Sequence, residues 1–241
     1  MEELLRELRE FAEGPLFRAS FVILVAGLVR RVVLLAWPAA EGLWRANDRA
    51  LPRRKLLREI FGWLVPVEHL GRSRPFFSAV SFVFHIGLIL VPLFLAAHLA
   101  LWKKGTGLGW IMHLALPEFL SEVLVPLTII AGLVLLVLRA AHKPSRQFSR
   151  ASDYALLVLL LVPFITGIVA SEAKLGGAAY DFVMLAHVLS AEAVFVVIPF
   201  SRLAHCVLFP VSRGAREISA KLILPTPPPG YPVPSPKEPQ P

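Results

Sequence analysis

Five long apolar stretches dominate this chain and restrict what it can fold into. They lie near residues 16–37, 75–101, 117–140, 153–171 and 178–209. Each is long enough to cross a hydrocarbon core of about 30 Å as a helix. Charged residues make up only 17% of the sequence, whereas a soluble domain carries about 25%. The sequence therefore predicts an all-α integral membrane bundle of five transmembrane helices and excludes a soluble enzyme as the main body.

The connections between the stretches differ in positive charge. Seventeen Lys and Arg residues lie in the 38–74 and 139–152 connections and in the segment from Arg202 to the end. Six lie in the remaining connections and the N-terminal segment. Because positive residues accumulate on the cytoplasmic side, the N-terminus is predicted outside and the C-terminus in the cytoplasm.

Three regions follow from this layout. Residues 1–15 form an outer N-terminal segment, 16–216 the membrane domain, and 217–241 a Pro-rich cytoplasmic tail that cannot build a packed core. The 38–74 connection is predicted to hold an amphipathic helix on the inner surface. Its apolar side chains recur at helical spacing beside a basic cluster: Leu56, Leu57, Ile60, Phe61 and Leu64 beside Arg53, Arg54, Lys55 and Arg58.

The net charge of +8 does not indicate nucleic-acid binding, because the positive residues alternate with the apolar stretches instead of forming one soluble face. The single cysteine, Cys206, excludes a disulfide framework, an iron–sulfur cluster held by this chain alone, and covalent haem attachment through CxxCH. Cys206 is expected to be a small core residue that points away from its histidine neighbour.

Four of the seven histidines lie inside two of the stretches: His85 and His98 in the second, His187 and His205 in the fifth. Ionisable residues within a membrane are costly and indicate function by default. A lone intramembrane histidine is as often a hydrogen-bonded packing residue. Two on each of two helices instead match two protoporphyrin haems, each held by one histidine from either helix.

The predicted topology pairs these histidines by depth. The second stretch runs outward and the fifth runs inward, so His98 pairs with His187 on the outer side and His85 with His205 on the inner side. His187 and His205 are separated by five whole helical turns and share a face. His85 and His98 are about 140° out of phase, so Pro92 between them is expected to kink the helix and re-aim His98.

A resemblance to a known family arises at these residues. Met184 to Arg216, MLAHVLSAEAVFVVIPFSRLAHCVLFPVSRGAR, resembles the last helix of the gamma (cytochrome b) subunit of respiratory nitrate reductases. Its most specific part runs from Pro199 through Leu203 to His205, followed by Pro210-Val211. Two further stretches are similar to that family, namely Phe84-His85-Ile86-Gly87 and Arg150–Ala170 with Asp153.

The resemblance implies a dihaem b-type cytochrome in a bacterial or archaeal cell membrane. It implies that quinol is oxidised near the outer haem and that electrons pass through the inner haem to cytoplasmic or membrane-attached redox or iron–sulfur subunits. His98 and His187 are then ligands of the outer haem iron, and His85 and His205 of the inner one. The long 38–74 connection and the Pro-rich tail favour a relative in the wider group, which includes cytochrome b subunits of sulfite-reduction and heterodisulfide-reductase complexes.

Several polar residues could serve such a reaction. Lys103 and Lys104 could orient a quinol oxygen, and His113, Glu118 or Glu122 could accept protons. For Glu118 and Glu122, an ordinary solvated helix start is the more common explanation. Arg202, one helical step before His205, could pair with a haem propionate or could simply be a positive-inside anchor. Glu192 is expected to be a neutral acid hydrogen-bonded to a neighbouring helix, with a proton relay as the alternative.

A second class of function stays open at this point. The chain could be a membrane transporter or scaffold in which the histidines are structural or bind a metal ion. Five spans without inverted repeats would be unusual for a transporter, and this class leaves the paired depths of the four histidines without a reason.

Overall fold

The computed structural model of the chain describes residues 2–45, 58, 75–107 and 109–223. Those residues are helical, with short connections and no strand among them. Five helical regions are long and apolar enough to cross a membrane: Glu2–Pro38, Pro75–Phe94, Glu118–Ala141, Ala151–Glu172 and Gly177–Phe200. They overlap all five predicted stretches. The prediction of an all-α, multi-pass membrane protein with five spans is therefore confirmed.

The helices follow one another along the chain with two interruptions that matter below. They are α1 Glu2–Phe11, α2 Phe17–Arg45, α3 Pro75–Phe94, α4 Ala96–Thr106, α5 Glu118–Ala141, α6 Lys143–Phe148, α7 Ala151–Glu172, α8 Gly177–Val197 and α9 His205–Ile223. A π-helical stretch, Ala12–Leu16, joins α1 to α2. Short 3₁₀ turns follow α4 and separate α8 from α9.

The chain divides into two compact units. The first comprises residues 1–28 and 66–206 and contains α1, the start of α2, and α3 to α8. The second comprises 29–65 and 207–241, and its described residues are the remainder of α2, Arg58 and most of α9. His85, His98, His187 and His205 all belong to the first unit, so their geometry is described within one body. The prediction that all four lie inside membrane spans is corrected: His85 and His187 do, whereas His98 in α4 and His205 at the start of α9 lie outside the five membrane-length helices.

Small residues let the helices of the first unit approach closely. Gly87 of α3 lies against Thr128 of α5, and a Cβ at Gly87 would overlap the threonine side chain. Thr128 is fully buried, and its hydroxyl donates to the Leu124 carbonyl at 2.6 Å. Because lipid supplies no hydrophobic force between helices, such small-residue contacts provide much of the association between them.

Apolar side chains fill the space between α3, α5, α7 and α8. One buried cluster contains Phe84, Ala131, Leu135, Leu160, Leu161, Val194 and Leu203, and a second contains Val91, Leu124 and Phe164. Other large apolar side chains point outward, including Ile130, Val137, Val158 and Phe182. An outward-facing apolar surface on membrane-length helices associates with lipid.

The N-terminal segment is a helix packed against α8, which the sequence reading did not specify. Arg9 of α1 forms an ion pair with Asp181, Nε to Oδ1 at 3.2 Å, and its guanidinium lies 5.7 Å from the Tyr180 ring centre. After the π-helical stretch, the rings of Phe17 and Phe21 contact Trp102 of α4 in tilted and edge-on arrangements, with ring centres 5.4 and 5.1 Å apart. These contacts hold α4 beside the start of α2.

Two predicted segments lie largely outside the described residues. The amphipathic helix proposed within 38–74 falls there except for residues 38–45, which continue α2, and Arg58. The tail from residue 224 onward falls there entirely, whereas residues 217–223 belong to α9.

Candidate functional site: two histidine pairs

The structure brings the four histidines together as two pairs, each with one member inside a membrane-length helix and one beyond the end of such a helix. The ring centres of His98 and His187 are 6.0 Å apart, with 15° between the ring planes. Those of His85 and His205 are 5.7 Å apart, with 68° between the planes. These are the partners that the depth argument assigns, one from α3 or α4 and the other from α8 or the start of α9.

All four rings share one hydrogen-bonding pattern. In each case Nδ1 lies within hydrogen-bond distance of a backbone carbonyl oxygen. The pairs are His85 with Ser81 at 2.7 Å, His98 with Val91 at 3.2 Å, His187 with Pro163 at 2.8 Å and His205 with Arg202 at 2.6 Å. A carbonyl can only accept, so Nδ1 carries the proton and Nε2 keeps its lone pair. Metal-binding histidines characteristically have this second partner, which fixes the tautomer and the ring orientation.

The spacing within each pair suits one metal ion between two rings. An imidazole nitrogen binds a first-row metal ion at about 2.0–2.1 Å. Two nitrogens on opposite sides of one ion are then about 4 Å apart, which places the ring centres about 6 Å apart. Both pairs are close to this separation. Each pair could therefore hold one metal ion between its two rings.

An interruption of the second span aims His98. The helix breaks at Leu95, whose φ and ψ of −62° and 133° are extended. Pro92 was expected to kink the helix, and the break falls three residues beyond it. The carbonyls exposed by the break find partners, because Phe94 O accepts from Leu116 N at 2.8 Å and Pro92 O from Trp102 Nε1 at 3.4 Å. The new direction of α4 compensates for the out-of-phase spacing from His85.

The absence of a side chain at Gly167 makes room for His187. A Cβ there would lie 3.0 Å from Cε1 and 3.2 Å from Nδ1 of the ring, closer than side chains normally pack. Thr166 Oγ1 lies 3.4 Å from the same Nδ1. The α7 helix thus presents a flat backbone surface to this ring, a role that the sequence reading missed and that a glycine inside a long apolar run could have signalled.

A second interruption precedes His205. The α8 helix ends at Val197, a 3₁₀ turn covers Ile198–Phe200, and Ser201 is extended, with φ −120° and ψ −175°. A further turn, Arg202–Ala204, leads into α9 at His205. His187 and His205 are therefore not on one uninterrupted helix, which corrects the assumption behind their five-turn separation. Pro199, which cannot donate a backbone hydrogen bond, is the local cause that sequence supplies.

Cys206 does not point away from the site as expected. Its Sγ lies 3.6 Å from His205 Nε2. One ligand atom each from Cys206, His205 and His85 fall within 4.8 Å of one another. The expectation assumed a regular helix through this segment, whereas two short 3₁₀ turns precede His205.

The predicted quinol-site residues lie on three successive elements of the chain. Lys103, Lys104, His113, Glu118 and Glu122 are all exposed, on α4, the following 3₁₀ turn and the start of α5. Lys104 lines a cavity of about 230 Å³ together with Glu13, Gly14, Phe17, Arg18 and Leu101. This cavity brings residues of the π-helical stretch and the start of α2 beside Lys104, a neighbourhood that the sequence did not predict.

Two charged residues differ from expectation in their contacts. Arg202 Nη1 donates to Asp153 Oδ1 at 2.9 Å, so this guanidinium already has a carboxylate partner. Glu192 is buried, but within the described part of the chain neither of its carboxylate oxygens has a hydrogen-bond partner. The predicted hydrogen bond from Glu192 to a neighbouring helix is therefore wrong for the residues that the structure describes.

Fold and site together define a multi-pass helical membrane protein with two histidine pairs between its helices. The chain belongs to the same family as a protein of Nitratidesulfovibrio vulgaris (strain Hildenborough) named "Protein". The two are 36% identical over 212 residues, which cover 85% of this chain and 89% of that protein. No protein-family model and no solved structure matches the chain. That name states no activity.

Proposed function

We propose that this chain is a dihaem b-type membrane cytochrome, the electron-transfer subunit of a larger membrane oxidoreductase. The observation that carries the proposal is the shared geometry of the four histidines. They form two pairs with ring centres about 6 Å apart, and every ring has Nδ1 within hydrogen-bond distance of a backbone carbonyl oxygen. A packing histidine has no need of a facing partner about 6 Å away, and here the arrangement occurs twice.

The surroundings of the pairs fit a non-covalently held haem. Bound haem supplies a one-electron carrier at each pair. The residues around the rings are largely apolar, as with Phe84, whose ring meets that of His85 edge-on at 5.9 Å. The chain has one cysteine and therefore no CxxCH attachment motif. The protein's part is to hold four imidazoles in fixed orientations through their Nδ1 contacts with backbone carbonyls.

The direction of electron flow rests on the predicted topology and on the resemblance to nitrate reductase gamma subunits and their wider group. We place quinol oxidation at the outer leaflet of a bacterial or archaeal cell membrane, beside the His98–His187 pair. Electrons then leave from the His85–His205 pair to a redox partner subunit on the inner side. Lys104 supports the outer placement, because it lines a cavity together with Arg18 and Glu13.

Haem content tests the proposal most directly. The purified protein should contain about two haems per chain and should show b-type bands in a reduced-minus-oxidised absorption spectrum. Acid–acetone should extract all of the haem, because no covalent attachment motif is present. Haem that stays with the polypeptide after extraction, or a haem content near zero, would contradict the proposal.

The side of quinol oxidation is tested in proteoliposomes with quinol and an inner-side electron acceptor. Protons should appear on the outer side as the acceptor is reduced. Lys104→Ala should raise the KM for quinol roughly tenfold, as expected for loss of one charged hydrogen bond. Lys143→Ala, at a lysine of the predicted inner side, is the matched control. Proton release on the inner side would contradict the placement.

One observation favours a second candidate, a metal-binding membrane protein. Ligand atoms of His85, His205 and Cys206 lie within 4.8 Å of one another and could hold a transition-metal ion directly. Elemental analysis separates the two candidates. Iron that matches the haem content supports the cytochrome, whereas stoichiometric zinc or copper in a colourless protein supports the alternative.

A further inference from the structure

A buried carboxylate is linked to the His205 ring through Arg202, which makes one hydrogen bond to each of them. Asp153, at the start of α7, is only 7% exposed. Its Oδ2 accepts from Arg150 N at 3.0 Å, and its Oδ1 accepts from Arg202 Nη1 at 2.9 Å. Arg139 Nη1 lies 4.0 Å from Oδ2 on the other side. Asp153 thus joins the beginning of α7 to the turn that carries Arg202.

That turn holds the acceptor of the His205 ring. Arg202 O accepts from His205 Nδ1 at 2.6 Å. The carbonyl belongs to a short 3₁₀ turn that follows the extended Ser201, and it also accepts from the backbone N–H of His205. Within the turn, the Ser201 hydroxyl accepts from Leu203 N at 3.2 Å. The direction of the Arg202 carbonyl therefore depends on what anchors this turn.

Two kinds of contact anchor the turn. Leu203 and Ala204 are buried, and Leu203 belongs to the apolar cluster with Leu160 and Leu161. Apolar packing of this kind is non-directional, so it holds the turn in place without fixing how the turn is rotated. The Asp153–Arg202 ion pair restricts the rotation of the turn, because it connects Arg202 to a fixed carboxylate at the start of α7.

The exposure of the Arg202 side chain limits how much the Asp153–Arg202 ion pair can contribute to stability. The Arg202 side chain is 65% exposed, whereas that of Asp153 is 5% exposed. An ion pair with one partner so exposed contributes little to the free energy of unfolding. Its effect should therefore appear in the orientation of His205 and not in whether the protein folds.

We propose that Asp153 is a positioning residue for His205, acting through Arg202. It holds Arg202 so that the carbonyl of that residue meets Nδ1 and turns Nε2 toward His85. This inference rests on the proposed function, because it takes the group bound at Nε2 to be the inner haem. Partners of this kind typically change the affinity of a bound metal group about 10–100-fold when they are replaced.

The test compares Asp153→Asn, Arg202→Leu and the double variant in the haem-loaded protein. Asparagine keeps an acceptor for Arg150 N but loses the charge that pairs with Arg202. The rate of haem transfer to apomyoglobin and a potentiometric titration are both measured. We expect inner-haem loss to be about 10–100-fold faster in either single variant, with a shifted inner-haem potential and an unchanged outer haem.

Non-additivity is the decisive readout. If Asp153 acts through Arg202, the double variant should behave like either single variant, because the second change has nothing left to remove. Arg139→Gln is the matched control. That arginine also faces Asp153, but it lies on α5, away from the His205 turn, and its replacement should leave the inner haem as in the wild type.

The outcomes separate this inference from the proposed function. A wild type with two haems and variants with an unchanged inner haem overturn the positioning role alone. An Arg139→Gln effect as large as that of Arg202→Leu, or equal loss of both haems, also overturns it, since either indicates a general structural effect. A wild type without haem overturns the proposed function instead.

Discussion

Replacing His187 with alanine is expected to lower the haem content from about two to about one per chain and to remove the outer-haem signal alone. The change deletes one axial nitrogen of the His98–His187 pair, whose ring centres are 6.0 Å apart. His98→Ala should give the same result. His85→Ala and His205→Ala should remove the inner haem instead. Redox titration with pyridine haemochrome quantification measures both quantities.

A histidine outside the pairs provides the control. His142 is the N-cap residue of α6, and its ring accepts from Ser145 N at 3.4 Å. His142→Asn keeps an acceptor at this helix start and should retain both haems. The assignment fails for the outer site if His98→Ala leaves both signals intact, because the second ligand would then lie elsewhere.

Gly87→Ala is expected to destabilise the protein through the contact between α3 and α5. The added Cβ would overlap Thr128, which is fully buried and has no space to retreat into. Overpacking of this kind typically costs about 1–3 kcal/mol of unfolding free energy. Thermal unfolding in detergent, followed by circular dichroism, measures the change. Because Gly87 lies two residues from His85, haem loss at the inner site should accompany it.

Two further variants make this prediction specific. Gly14→Ala is the matched control, since a Cβ there would meet nothing within 4 Å, and it should leave stability about unchanged or slightly raised. The size-swapped pair Gly87→Ala with Thr128→Gly should recover much of the loss. Equal destabilisation by Gly14→Ala would show that the helices respond to alanine in general and not to the close contact.

The five spans and the partners within each histidine pair could be reasoned from sequence. Length and apolarity determine the spans, and the positions of His85, His98, His187 and His205 along antiparallel helices determine which rings share a depth. Both arguments use only distance along a helix axis, which is insensitive to local bends.

The directions in which the side chains point around the helix axes could not be predicted in the same way. The break at Leu95 falls between a leucine and an alanine, neither of which signals an interruption. Its exposed carbonyls are satisfied by Trp102 Nε1 and Leu116 N, both distant along the chain. The position of Cys206 beside His205 depends likewise on the irregular turn before it. Such features depend on tertiary hydrogen bonds that a linear pattern does not contain.

The two ring pairs differ in how their planes are turned, by 15° in one and 68° in the other. Two nearly parallel imidazoles would interact with the same π-type d orbital of a bound iron and separate it in energy from the other π-type d orbital. Two crossed imidazoles act on different ones and leave them close in energy. The two ferric irons of the proposed cytochrome would then be magnetically unlike, the crossed pair giving the more anisotropic centre. A single electron paramagnetic resonance spectrum of the oxidised protein would therefore carry a separate signature for each half of the membrane.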